Sequence, residues 1–212
     1  MLGAVESQSD AALLGAWRAK DERSGAALYR RHAASVTRFF RNKVAEAEVA
    51  DLTQATFLAC LEHGDRYLEG ASFRAFLLGF ARNLLLHHYR SRYRKHDKID
   101  FGVSSVIDLG VSPSSFAARQ QEEQRLLAAL RSLAVEQQIL LELYYWENMQ
   151  GQELAELYGV AEGTIRSRLR RARQLLAAAY EAIDPEPATT DTAAGLDDWA
   201  AVIRERITTP TD

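Results

Sequence analysis

Five arginines, Arg166, Arg168, Arg170, Arg171 and Arg173, fall within eight residues of a segment, Gly151–Gln174, that reads as helix, tight turn and helix. A second helix that buries Ile165 and Leu169 must turn several of those cations outward. Guanidinium forks on a rigid helix suit phosphate and base edges, the geometry by which helix-turn-helix proteins enter the major groove. Ser167, set among the arginines, suits a DNA contact better than a nucleophile. Glu162 has two readings: it complements the positive end of the helix, or it accepts from cytosine N4. A second basic cluster, Arg82, Arg90, Arg92, Arg94 and Lys95, has no acid between its members. Asn83 beside it can pair with a base edge, and Tyr89 and Tyr93 could stack on unpaired bases.

Other chemistries find no support. His87 and His88 are adjacent and so diverge on a helix, with no HExxH, CxxC or close acid pair beside them. No phosphate-cradling glycine loop and no GxSxG occurs. The expectation is a protein that is not an enzyme, with no catalytic residue, no metal and no cofactor. Cys60, the single cysteine, lies at helical spacing from Phe57 and Leu61, which reads as packing. A chain with one cysteine forms no internal disulfide, which fits a reducing cytoplasm.

The 212 residues carry a formal charge of −3, so basic charge is local rather than general. Two local patches on an otherwise acidic chain fit contact with DNA at two places and with protein elsewhere. The N-terminus has acids where a signal peptide needs a basic flank, and no run is long and apolar enough to span a bilayer. The expected location is the cytoplasm, with no membrane span.

The elements that must hold these residues are helical. Leu28, Val36, Phe39 and Phe40 mark one amphipathic helix. Val49, Leu52, Thr53, Thr56, Phe57, Cys60 and Leu61 mark a second at three-and-four spacing. Phe73, Phe76, Leu77, Phe80, Leu84, Leu85 and Tyr89 mark a third, with Ser72 as its cap. From His96 the periodicity stops, in a stretch with Gly102, Gly110, Pro113 and five serines. It resumes with Leu126, Leu127, Leu130 and Leu133, then Ile139, Leu140, Leu143 and Tyr144. Gly159 falls where the turn wants positive φ. The expected architecture is all-α: two small helical domains joined by a flexible linker, the C-terminal one holding the helix-turn-helix. The boundaries are an N-terminal segment 1–22, a first domain 23–95, a linker 96–120, a second domain 121–183 and a tail 184–212. The tail has a disordered start and a short helix around Trp199, Val202 and Ile203.

Three segments in order, DLTQATFLACLEH, FRAFLLGFARNLLLHHYR and ELAELYGVAEGTIRSRLRRAR, resemble the extracytoplasmic-function (ECF) sigma factors of bacterial RNA polymerase. The resemblance covers about residues 23–95 and 121–180. It implies that the first domain is sigma region two and the second sigma region four. It implies that Asp51, Gln54 and Phe57 dock on the β′ clamp helices of core polymerase, with Ala55 where the family usually has glutamate. Arg82 and Asn83 match the ARN motif at the promoter −10 element, with Arg90 and Arg92 on the same helix. The loop 63–71 matches the segment that captures a flipped base. Glu162, Thr164, Arg166, Ser167, Arg170 and Arg171 would face the −35 element. The implied partners are core RNA polymerase, including its β flap, promoter DNA and, in many members, an anti-sigma factor. Phe76 stands where many members have tryptophan, His87 where they have aspartate and Ala134 where they have proline.

The function so implied is promoter recognition for transcription initiation, with strand opening from the N-terminal domain. Two alternatives remain from residues alone: a stand-alone helix-turn-helix regulator that binds duplex operator without polymerase, and an interaction scaffold whose basic helices meet an acidic partner.

Overall fold

The computed structural model describes residues 8–68, 70–92, 99–110 and 121–183. Among them are eight α-helices and no strand. In chain order they are α1 (Asp10–Arg18), α2 (Glu22–Arg41), α3 (Glu46–Glu62), α4 (Phe73–Arg92), α5 (Gln121–Ser132), α6 (Val135–Tyr145), α7 (Gly151–Tyr158) and α8 (Glu162–Ile183). The starts follow from local chemistry. Ser9 accepts from the Ala12 N–H, Asp21 from the Arg23 N–H and Ser72 Oγ from the Ala75 N–H, each satisfying an orphan donor of a first turn.

The N-terminal domain packs α1 to α4 around Leu28, Val36, Phe40, Leu77, Leu78 and Leu85, all fully buried or nearly so. The helix α1 belongs to it. Leu13 and Leu14 are buried, and Asp10 meets Arg31 at 2.7 Å and His32 at 2.9 Å. The expected boundary at residue 23 therefore moves back to about residue 10. Cys60 is buried as its spacing predicts, and burial pushes its thiol up to about 12.

In the C-terminal domain α5 and α6 pack with α8 through Leu130, Ile139, Leu143, Ala172 and Leu176. Gly159 ends α7 at φ 62° and ψ 38°, the left-handed conformation expected of it. A Cβ there would meet no atom within 4 Å, so glycine answers to the backbone and not to crowding.

The segment 99–110, expected to be pliant, is packed. Phe101, Val106 and Leu109 are buried. Carbonyls of Phe101 and Ser104 accept the N–H groups of Glu136 and Val135, at 3.2 and 3.0 Å, and so cap the start of α6. Its three buried apolar residues follow no helical or strand period, which is why composition alone reads the stretch as linker. The tail 184–212, Tyr93, Arg94 and Lys95 lie outside the described residues. No helix among the described residues is long and apolar enough to cross a membrane.

Candidate nucleic-acid interface

The helix α8 is seated by its apolar face. Ile165 and Leu169 are buried against Leu154 of α7, with Ala155, Leu157 and Val160 packed at the junction. The opposite face is open. Glu162, Arg166, Ser167, Arg170 and Arg171 are exposed, and Thr164 is half-buried. Arg166 is only loosely paired with Glu162, at 3.8 Å, and 74% of its side chain is accessible. Ser167 donates to the Gly163 carbonyl at 3.0 Å, which holds its hydroxyl oxygen at the surface with lone pairs free of the helix. The arrangement offers four exposed arginines, Arg166, Arg168, Arg170 and Arg171, on one rigid rod anchored one helical turn at a time.

The second cluster, on α4, is already engaged. Arg82 donates to both carboxylate oxygens of Glu136, at 3.1 Å from Nε and through a shorter bond from its terminal nitrogen. The same guanidinium lies 4.9 Å over the ring of Tyr158. Burial pushes the Tyr158 phenol upward, so the ring stays neutral under that cation. Arg92 pairs with Glu48. Arg90 is exposed and lies 5.1 Å from the centre of the Phe101 ring. Asn83 is exposed, and none of the hydrogen bonds described here involves its side chain.

Two aromatic assignments change. Tyr89 is buried at 1% and donates to the Lys43 carbonyl, so it cannot stack on an unpaired base. Phe57 is buried at 4% and packs at a tilt against Tyr29, so it supports the α3 surface from beneath. The exposed stripe of α3 is Asp51, Gln54 and Leu58. Leu58, 54% exposed, was legible as the residue four beyond Gln54 and seven beyond Asp51. Beyond α3 the chain turns through a short 3₁₀ helix, Gly64–Arg66, into a loop where Leu68 is 74% exposed. Behind that loop Tyr67, Phe73, Phe76 and Phe80 form a run of tilted and edge-on ring contacts between 5.0 and 6.5 Å. Phe76 and Phe80 are half-buried, so this run reaches the surface.

Partners of Arg82 were not legible from its neighbourhood, because they come from the other domain. Glu136 lies 54 positions on in sequence. The contact is one of several. Arg38 binds Glu147 at 2.7 and 3.0 Å, Arg74 binds Glu153 at 3.1 Å and the Glu147 carbonyl at 2.7 Å, and Ser72 donates to Glu153 at 2.6 Å. Lys43 meets Glu142 in a fully buried pair. One face of the N-terminal domain is thus basic and meets an acidic face of the C-terminal one. Arg131 reverses the sense, donating to the Asn42 carbonyl at 2.8 Å.

Comparison with known proteins agrees with both halves. Residues 28–95 match Sigma-70 region 2 and residues 123–176 match Sigma-70, region 4. The chain is 34% identical over 128 residues to the ECF RNA polymerase sigma factor EcfG of Rhodopseudomonas palustris, covering 60% of this chain and 68% of that one. It is 31% identical over 126 residues to the probable RNA polymerase sigma factor RfaY of Xanthomonas campestris pv. campestris, covering 58% of this chain and about a third, 32%, of that longer protein. The fold is shared with the sigma factor RpoE of Bartonella quintana, solved in complex with the anti-sigma factor NepR. The TM-score there is 0.54 at 23% identity, over 72% of this chain and 94% of that one.

Proposed function

The chain belongs to the extracytoplasmic-function sigma factors, and on that premise we propose that it lends core RNA polymerase its promoter specificity through two separate DNA-reading helices. The recognition helix α8 reads the −35 element with Glu162, Thr164, Arg166, Ser167, Arg170 and Arg171. The helix α4 meets the −10 element with Arg82, Asn83, Arg90 and Arg92 and helps hold it open. The stripe Asp51, Gln54 and Leu58, backed by Phe57, docks on the β′ clamp helices, and the C-terminal domain meets the β flap. The protein needs no cofactor and performs no covalent chemistry; the polymerase makes the bonds. Its place of action is the cytoplasm. An anti-sigma factor is a natural further partner, since the Bartonella relative was solved with one.

The single observation that carries this reading is the open face of α8, exposed from Glu162 to Arg171 while Ile165 and Leu169 anchor it. Base-edge specificity from such a face needs a rigid helix in the major groove. Specific initiation needs more, because unpaired bases must also be captured at the cost of unstacking.

The test is transcription with purified core polymerase on a library of promoters with randomised −35 and −10 segments. Initiation that appears only when the chain is added, and that enriches one sequence at each segment, supports the reading. Tight binding to duplex without polymerase, with no initiation, would assign it to the stand-alone regulators instead.

A further inference from the structure

Resting on that reading of α8, we propose that the acidic tail, residues 184–212, is a second occupant of the −35 face. Its acids lie on the exposed arginines of α8, and its Trp199, Val202 and Ile203 lie on an apolar strip further along the same helix. The chain thereby competes with DNA for its own recognition helix.

The surface asks for an occupant of mixed character. Arg171, Leu175, Ala178 and Ala182 follow at three-and-four spacing on α8, and all four are exposed. Leu175 is 36% and Ile183 47% exposed, so the arginine face runs on into an apolar one over the last turns of the helix. A recognition helix contacts base edges with its N-terminal residues. The apolar strip therefore lies beyond what the groove uses. At the other end Arg166, Arg168, Arg170 and Arg171 are exposed, and Arg166 meets Glu162 only at 3.8 Å.

The tail has the matching composition. From Asp184 to Asp198 it carries five acids and no basic residue, whereas α8 carries five arginines and no acid between Arg166 and Arg173. Asp197 and Asp198 stand directly before Trp199, Val202 and Ile203, whose spacing sets three large apolar groups on one helical side. One short segment thus presents acid and then apolar groups, the order in which α8 presents them with the opposite charge. The spacing agrees as well: Asp198 and Val202 are four residues apart, as are Arg171 and Leu175.

The connection has the right length. Arg171 lies 12 residues before Ile183, which is about 18 Å back along the helix at 1.5 Å a residue. Asp197 lies 14 residues beyond Ile183. A random coil of that length has a root-mean-square span of about 20 Å. Tethered binding is strongest when the span of the tether matches the distance to be bridged, and the effective concentration is then about millimolar. A contact with a dissociation constant of about 0.1 mM fills the face about nine-tenths of the time and weakens its apparent affinity for DNA about tenfold. Nonspecific duplex meets the arginines by charge alone and is held off by that factor. A promoter seated on core polymerase arrives at an effective concentration of its own and displaces the tail.

The probe is random-sequence duplex DNA, bound by the free chain at about 0.1 M salt. A chain ending at Asp184 should bind it about tenfold more tightly than the full-length chain. The full-length variant with Asp197→Asn and Asp198→Asn deletes nothing and should move in the same direction. If that variant binds as its parent does, the proposal falls. The contact itself is read by p-benzoylphenylalanine placed at Leu175 of the full-length chain. On irradiation it should cross-link within one chain to residues 196–207, at a yield independent of protein concentration, and excess duplex should abolish the link. A cross-link to a second copy would give the strip to a dimer, and no link to the tail would leave the strip without it; either overturns the proposal. These readouts use no promoter and no polymerase. A chain that initiates nowhere in the promoter library loses its sigma role, while the DNA affinities and the cross-link still decide the tail.

Discussion

Lys43 and Glu142 pair across the domain interface with neither side chain reaching water. Burial pushes the Glu142 carboxyl up and the Lys43 ammonium down, and each offsets part of the other's loss of solvent. Gln138 donates to the second Glu142 oxygen at 2.8 Å, and Lys43 also donates to the Phe39 carbonyl at 2.5 Å over the Phe39 ring. Removing one partner leaves an uncompensated buried charge. Lys43→Met should therefore cost about 3–5 kcal/mol. Lys43→Met with Glu142→Leu should recover most of it. Urea denaturation of the three proteins checks this, and a double variant as weak as the single one would contradict it.

At the turn of the helix-turn-helix the prediction concerns backbone alone. Gly159 is left-handed with open space around its Cα, so Gly159→Ala meets strain and no clash. The cost should be about 1–2 kcal/mol, the penalty for an L-residue in that region. A lower Tm with an unchanged −35 preference is the expected result. An unchanged Tm would mean the turn has relaxed to another conformation.

Much of this fold could be read from residue spacing. The buried faces of α2, α3 and α4 follow the three-and-four pattern, Ser72 caps where expected and Gly159 turns where expected. What escaped depends on partners distant in sequence. Glu147 reads as a surface acid at the end of a helix, yet it is buried because Ser35 and Arg38 sit over it from 112 and 109 positions away. Phe57, which the resemblance assigns to the docking stripe, is withdrawn from the surface because Tyr29 of α2 packs over it. In the packed segment 99–110, Phe101 lies against Tyr89 and Arg90 of one domain while its carbonyl caps α6 of the other, and such a junction has no period to read.

Acid should loosen the interface at Glu153. Burial raises its pKa, but bonds from the Ser72 hydroxyl, the Gln150 N–H and Arg74 outweigh that and leave it below its usual 4.5. A depressed folded-state value means that the unfolded chain takes up the proton first. The stabilisation is thus present above about pH 4.5 and lost as pH falls through the lower folded value. Thermal melts from about pH 6 to about pH 3 should show a smaller decline for Glu153→Gln than for the parent. Equal declines would place the acid sensitivity elsewhere.

On α8, Arg171 is exposed. Arg171→Ala should weaken holoenzyme binding by about 1–3 kcal/mol on promoters that carry the selected −35 element. Binding to promoters that lack the element should change little. Equal losses on both would make Arg171 a phosphate contact.

The most telling comparison pairs the two neighbours of the ARN motif. Asn83 is exposed, so Asn83→Ala should leave the fold as it is and impair only the open complex. A pre-melted promoter should partly rescue it, because unpairing no longer has to be driven by base capture. Arg82→Ala removes a promoter contact and the partner of Glu136 together. Its fold should be less stable, while its holoenzyme opens promoters less well. Permanganate reactivity of unpaired thymines reports the promoter, and thermal denaturation reports the fold. If both variants impair promoter opening and neither changes the Tm, Arg82 serves DNA alone. If Arg82→Ala changes both readouts and Asn83→Ala only one, a single arginine serves both the promoter and the fold.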